Sequence, residues 1–425
     1  MNFEPYESGF SKVRIGEWIV LFAATTMAFS PFEALFSGVD TTKTGIESTS
    51  SSYVSFTFIL AVIWVYRSFK VSPTLRISSV GSLLNCFPLF SMLLIAILSF
   101  AYTGNIYSTF KQTLLLLENT LLAATLVGRL GSIGTLRLLV FSLFVISSIS
   151  AFVAIADPQN GIHQPGDAIA SFNAGRWRGV YSHKNLLAQI GGMLILISIA
   201  GFNDLHRSRY LVLVALVLGF VIVVEAGSAS VIINTGMGLF FLTFLKARSI
   251  QKGIIVGALL ILGIYFTLSD INPIDLIASM VQRDTTFTGR TNIWSFVLTV
   301  ISKNWIFGRG YGNMEEFRKA IQHNFGDEMV HSHNAYLEAM VGNGILGLLP
   351  YSLIAFKLFR LVFSDPDLLT PAQRISTVIV FCWLLAGLTE APTSYPNNAF
   401  FFCGITAFLI ISNSLRARPV AISNV

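Results

Sequence analysis

Arg176-Trp-Arg-Gly-Val-Tyr-Ser-His-Lys-Asn185 runs without a break into Leu186-Leu-Ala-Gln-Ile-Gly-Gly-Met-Leu-Ile-Leu-Ile-Ser-Ile-Ala-Gly-Phe202. The second stretch is almost wholly apolar and is long enough, as a helix, to cross a hydrocarbon core of about 30 Å. Its apolar residues are continuous rather than alternating, which excludes a membrane β-barrel. Backbone that crosses lipid outside a barrel must be helical, because only then are its N–H and C=O groups satisfied internally. Comparable runs recur near 17–37, 53–67, 84–103, 109–128, 136–156, 185–203, 208–225, 228–246, 252–269, 335–356, 373–391 and 395–414. They predict an all-α polytopic membrane protein with about twelve transmembrane helices, forming a single integral membrane domain over residues 1–425. The composition agrees: 12% of residues are charged, against roughly a quarter in soluble domains. Cys86, Cys382 and Cys403 all fall inside apolar runs and read as small core residues. Glu4, Glu7, Lys12 and Arg14 precede the first run, no small-x-small cleavage signal follows it, and it is expected to be retained.

Lys and Arg set the orientation. With both termini in the cytoplasm, inward segments carry seventeen of the twenty-eight Lys and Arg residues, and short outward loops carry two, Lys43 and Lys111. The other nine lie in two long outward connections: an outer loop at 157–184 and a large loop at 270–334 between the ninth and tenth spans. Glu33, Glu118, Glu225, Glu338 and Glu390 then all fall in the outward halves of their helices. Such asymmetry points to a polar cavity open on that face, with interfacial snorkelling as the plainer reading of any one Glu. Within 270–334, Ile293, Phe296, Val297, Val300 and Ile301 recur at helical spacing and predict an amphipathic helix, on the bilayer surface or over the cavity. Gly308-Arg-Gly-Tyr-Gly312 is a turn cluster; no strand precedes it, so it is not a dinucleotide fingerprint.

Charge and imidazole at a helix mouth in a greasy chain are expensive unless they serve an anionic or reacting ligand. Arg176, Arg178 and Arg290 lie in outward loops, where the positive-inside tendency gives no reason for cations. A guanidinium fork suits phosphate oxygens, and a membrane lipid's diphosphate sits at this depth. Pairing with headgroups, or with Asp167 and Asp284, is the structural alternative. His333 stands just before the 335–356 span, where a neutral imidazole can take a proton from a hydroxyl; a helix cap is the alternative. His183, Asn185, Asn334 and Glu338 are candidate supporting residues, the last two as i, i+4 neighbours on one helix face. His331-x-His333 with a carboxylate is poor evidence for zinc, and no metal site is expected. Gly342, Gly344 and Gly347 read as helix-packing residues.

His333-Asn334, nine residues, then Gly344-x-x-Gly347 resembles the signature of the bacterial O-antigen ligase and Wzy-type polymerase superfamily. Arg178-Gly179…Asn185-Leu-Leu-Ala resembles its upstream arginine motif, and Gly289-Arg290…Trp294 followed by Phe307-Gly-Arg-Gly-Tyr-Gly resembles the start of its large periplasmic loop. The resemblance covers roughly 170–360, and Tyr181-Ser-His-Lys-Asn185 looks most like the exopolysaccharide polymerases. The family usually shows an Arg after the seventh span, where this chain reads Gly227-Ser-Ala-Ser-Val231.

The resemblance implies a multi-pass protein of the bacterial inner membrane that moves glycan from undecaprenyl diphosphate to an acceptor sugar hydroxyl, facing the periplasm. The acceptor is a growing glycan or lipid A–core, with membrane lipids around the protein and a flippase and a chain-length regulator as further partners. His333 would be the base. Arg178 and Arg290, with Arg176, would hold the diphosphate in place of a divalent metal. Direct attack would invert the anomeric carbon. No cofactor and no nucleic acid are expected. A transporter, which tends to place polar residues near the midplane on repeated halves, and an assembly partner are the rival classes.

Overall fold

A computed structural model describes residues 15–29, 86–165, 167, 173–205, 209–248, 250–258, 290–326, 331–363, 369–391, 395–396 and 398–414. The expected span at 53–67, the ends of those at 17–37 and 252–269, and residues 270–289 and 327–330 of the large loop lie outside these. Among the described residues the secondary structure is helical apart from one isolated bridge, Ile162 to Trp177. Ile106–Ala156, Ala229–Lys246 and Ala335–Val362 are long and apolar enough to cross a membrane. Shorter apolar helices stand at Ile15–Ala28, Phe87–Ala101, Lys184–Ala200, Tyr210–Ala226, Pro371–Ala386 and Ala399–Asn413. The all-helical membrane architecture is therefore the one that hydropathy predicted; a total of twelve spans depends on segments beyond those described.

The Ile106–Ala156 stretch of 51 residues would run about 77 Å as one rod at 1.5 Å per residue, far more than a bilayer core. It is broken at Gly131, whose φ of 67° and ψ of 178° are not helical. The left-handed φ suits glycine. Two helices thus meet where the sequence placed a short inward turn. The Lys184–Ala200 helix packs on Arg209–Ala226 through facing glycines: a Cβ on Gly191 would stand 3.0 Å from the Gly219 carbonyl oxygen, and one on Gly219 would stand 2.9 Å from the Ile195 side chain. Small residues at such a seam let backbones approach where lipid gives helices no hydrophobic reason to associate. Pro371–Ala386 starts at a capping box between Thr370 and Gln373. Its buried Trp383 meets Phe401 of Ala399–Ser414 edge-on at 5.7 Å. Cys86, Cys382 and Cys403 are free and buried.

The amphipathic helix of the large loop is present as Arg290–Lys303, with Ile293, Val297 and Ile301 on its buried face. That face is covered by protein. It meets a second helix, Glu315–Phe325, whose Phe317 and Ile321 are fully buried, and with Met314 and Val341 they form a core separate from the bundle's. Burying residues of this size contributes about 1.5–3 kcal/mol each. Ser302 is exposed on the first of these helices. The Lys and Arg distribution predicts that a cysteine at 302 reacts with an impermeant thiol reagent added from outside only; labelling from the cytoplasmic side would invert the topology.

The tenth span is not one helix. Ala335–Asn343 ends at Gly344, which has φ 58° and ψ −153°, and a 3₁₀ turn over Gly344–Leu348 leads into Leu349–Val362. The 304–310 turn docks backbone-on-backbone at this break. Arg309 N–H donates to the Val341 carbonyl at 2.9 Å, Gly310 N–H to Gly342 at 2.7 Å, and Ile345 N–H to Trp305 at 2.8 Å. A Cβ on Gly344 would collide with the Ile306 carbonyl, and one on Gly308 would lie 2.6 Å from the Asn343 nitrogen. Gly308 and Gly344 therefore let this loop seal the break with hydrogen bonds, while Gly310 and Gly312 let it pack against Thr103 and Gln112.

Candidate functional site

Five segments meet at one end of the bundle. Trp177 N–H donates to the Glu225 carbonyl at 3.2 Å, tying the 157–184 loop to the end of Arg209–Ala226. Ala335 N–H reaches the Gly387 carbonyl at 2.8 Å, and Asn334 Nδ2 reaches Leu388 at 3.2 Å, tying the histidine turn to the stretch after Pro371–Ala386. Arg290 Nη1 donates to the Thr389 carbonyl at 2.7 Å.

The turn His331-Ser-His-Asn334 is built around Ser332. Its N–H and hydroxyl both donate to Glu338 Oε1, at 2.7 and 3.1 Å, and its carbonyl accepts Trp294 Nε1–H at 2.9 Å. Glu338 is buried, and Tyr395 donates its hydroxyl to the other carboxylate oxygen. His333 has φ 53°, the only positive φ outside glycine among the described residues. A backbone so placed costs on the order of 1–3 kcal/mol, and such strain clusters at functional sites. The helix cap is Asn334, whose Oδ1 accepts from Tyr336 and Leu337 N–H at 3.0 Å each. His333 is thus not the cap. Asn334 in turn stands outside the helix and shares no helical face with Glu338, a correction to the i, i+4 reading.

Four imidazoles come together here. The His331 and His333 ring centres are 4.2 Å apart, and those of His163 and His183 5.5 Å. Burial, then the neighbouring His331, Arg290 and His183, holds His333 well below the usual histidine range. Burial first, then His163 and Lys184 beside His183 and Arg318 and Arg290 beside His331, pushes both down to about 3. All three are neutral near pH 7. His331 Nδ1 and His333 Nδ1 are buried with no hydrogen-bond partner among the described residues. His183 caps Lys184–Ala200 by accepting Asn185 N–H at 3.1 Å. His163 Nε2 accepts Lys184 N–H at 3.2 Å, so its proton lies on Nδ1, which faces Asp167 at 3.1 Å.

An unfolded histidine takes a proton near pH 6.5, whereas His183 and His331 refuse it down to about 3. Their contribution to stability is complete above pH 6.5 and is lost as pH falls from there toward 3. The melting temperature in detergent should drop between pH 7 and 4.5, and less so for a His183→Gln, His331→Gln double variant. Equal drops in the two proteins would refute the assignment.

Arg178 is buried and committed to its own loop. Nε donates to the Asn160 carbonyl at 2.9 Å, Nη2 to Gln159 at 3.3 Å and Nη1 to Asp167 at 3.4 Å. Arg178→Ala should cut transfer by disordering the 157–184 loop, which loses three charge-assisted hydrogen bonds, to Asn160, Gln159 and Asp167. Arg178→Lys should rescue poorly, since a point charge cannot reach three acceptors. Limited proteolysis of the loop reads this out; an Arg178→Ala loop as resistant as the wild type would refute it. Arg176 is exposed and lies across Gly227, with its guanidinium carbon 2.8 Å from where a Cβ would stand. It thus brings a cation to the stretch after the seventh span.

Arg290 is 15% exposed at its side chain, and its Nη2 stands 3.8 Å from Glu390 Oε1. That oxygen also accepts Ser230 Oγ at 2.8 Å and Asn185 Nδ2 at 3.4 Å. Glu390 therefore gathers the starts of Lys184–Ala200, Ala229–Lys246 and Arg290–Lys303. Of the five outward carboxylates, Glu338, Glu390 and Glu118 are buried, Glu225 is exposed, and Glu33 lies outside the described residues. Sequence reasoning noticed Glu390 only as one of this set and passed over Ser230, His163 and Arg318. No cluster of three or more metal-binding side chains occurs among the described residues.

The arrangement defines a class: a helical membrane protein with neutral imidazoles, a partly exposed guanidinium and buried carboxylates at one end of its bundle. Residues 212–352, from within Arg209–Ala226 into Leu349–Val362, match the family model described as O-antigen ligase. The match supports the O-antigen ligase and Wzy superfamily for this chain, and with it a membrane glycan-transferring function of ligase or polymerase type. The matched stretch includes Arg290 and His333; Arg176 and Arg178 precede it. No curated protein matches the chain.

Proposed function

We propose that the protein is a metal-independent, inverting glycosyltransferase of the bacterial inner membrane. It moves glycan from undecaprenyl diphosphate to an acceptor sugar hydroxyl on the periplasmic face, polymerising exopolysaccharide or O-antigen repeat units. The observation that carries the reading is the His331–Asn334 turn: a neutral imidazole in a strained backbone, held by Trp294 and Glu338, within reach of the Arg290 charge. In the reaction the acceptor oxygen bonds to the anomeric carbon as the bond to the diphosphate oxygen breaks. The hydroxyl proton passes to His333, the electron pair leaves with the diphosphate, and Arg290 stabilises the departing charge. Arg176 stands where it can add a second cation; Arg178, His183, Asn185 and Asn334 hold the loops and helix starts that frame the site.

The break in the tenth span does not favour a transporter. Its backbone groups are taken up by the 304–310 turn, rather than presented to an ion in the manner of discontinuous transport helices. The test uses purified protein in bilayer discs with a defined lipid-linked repeat unit. Chain growth is the expected result. Transfer to lipid A–core instead would make it a ligase, and donor movement across the bilayer without new glycosidic bonds would overturn the enzymatic reading.

A further inference from the structure

A cavity of about 450 Å³ lies on the far side of Glu338 from the histidine turn. It is walled by the start of Ile106–Ala156, the Glu315–Phe325 helix and both halves of the broken tenth span. Tyr107, Tyr311, Tyr351 and Tyr395 contribute four amphipathic rings to its lining. The side-chain amides of Gln112 and Gln322 and the ammonium of Lys111 supply donors, and Arg318 sits 5.7 Å from the Tyr395 ring centre. Met92, Ile95 and Phe401 give it an apolar floor. Tyrosine faces beside amide and cationic donors suit a sugar, whose ring offers apolar C–H surface and whose edge offers hydroxyls.

The cavity is joined to the base by one carboxylate. Tyr395, which lines it, donates to one oxygen of Glu338. The other oxygen holds Ser332, the residue between the two histidines. Arg290, Arg176 and the 157–184 loop do not line it. We infer that this cavity binds the acceptor glycan: it holds the sugars behind the reacting one, whose hydroxyl reaches past Glu338 to the His331–His333 turn. The inference rests on the transfer reading above and adds a site to it, with donor cations on one side of the turn and the acceptor on the other.

The experiment uses the full chain in membranes of cells that make its glycan, with those cells' own lipid-linked glycan as the probe. A photoreactive benzoylphenylalanine replaces cavity-lining Ala339 or, as a control, Phe152, which is 70% exposed on the bundle surface. A sugar-bearing adduct at 339 and none at 152 is expected; no adduct at 339, or one carrying lipid without sugar, overturns the inference. In a second arm, Ala339→Phe fills the cavity. It should still capture labelled donor while transfer falls at least tenfold and half-saturation by acceptor shifts upward. Wild-type transfer in that variant, or loss of donor capture with it, would overturn the acceptor assignment. A wild type that makes no glycosidic bond would instead overturn the function, while the cross-link still reports what occupies the cavity.

Discussion

His333→Ala should keep its lipid-linked donor and transfer glycan about 10²–10⁴-fold more slowly, the usual cost of removing a general base. Its imidazole is neutral at working pH because it is buried among His331, Arg290 and His183, so it can accept the acceptor's proton. The proposed role and a packing one predict different outcomes. Asn334 makes the helix cap, and Glu338 and Trp294 hold Ser332 rather than His333. Gln at 333 should therefore fail as a substitute. Gly at 333 should fold at least as well as the parent, since it relieves the positive φ, and remain inactive. His331→Ala should be milder. A well-folded His333→Gln variant with full activity would remove the base assignment and shift attention to Glu338 or Glu390.

Arg290→Ala should nearly abolish transfer, with partial recovery in Arg290→Lys, because an ammonium lacks the bidentate fork. The variant carries a second penalty. Glu390 is 4% exposed at its side chain and loses the Arg290 cation; removing one partner of a buried ion pair typically costs about 3–5 kcal/mol. Ser230 and Asn185 still hold it, which softens that cost. Pairing Arg290→Ala with Glu390→Gln should restore thermal stability but not transfer. Recovery of both would mean that Arg290 only neutralises Glu390; wild-type transfer in Arg290→Ala would mean that it faces headgroups.

The parts of this protein legible in its sequence are those governed by local patterning. Run length and charge gave the helical membrane class, and helical spacing marked Arg290–Lys303. The same spacing in Met314, Phe317 and Ile321, with Glu315 and Glu316 in the first turn, marks Glu315–Phe325, but faintly, because most of its other residues are polar. His333 and Arg290 stood out as polar groups at helix mouths. What the sequence hid depends on distant partners. Arg178 reads as a phosphate ligand until the carbonyls of Gln159 and Asn160 are seen to occupy it, and carbonyls belong to every residue type. Asn334 and Glu338 read as one face until the backbone of Asn334 is seen to be extended, as the N-cap of a helix that begins at Ala335. Glu390 gathers Asn185, Ser230 and Arg290 from positions 205, 160 and 100 residues away, a convergence that periodicity does not encode.

The small core shared by Arg290–Lys303, Glu315–Phe325 and Val341 is distinct from the bundle's, and Trp294 carries the histidine turn on it. Stability in such a molecule is not uniform: a unit with so few buried side chains can open alone while the lipid-embedded helices stay formed. When it opens, the carbonyl of Ser332 loses its indole partner and the backbone at residue 333 is free to leave its unfavourable conformation. The proposed base is then dismantled without any helix leaving the membrane. Heat should therefore extinguish this protein in two stages, with chemistry vanishing first and recovering on cooling.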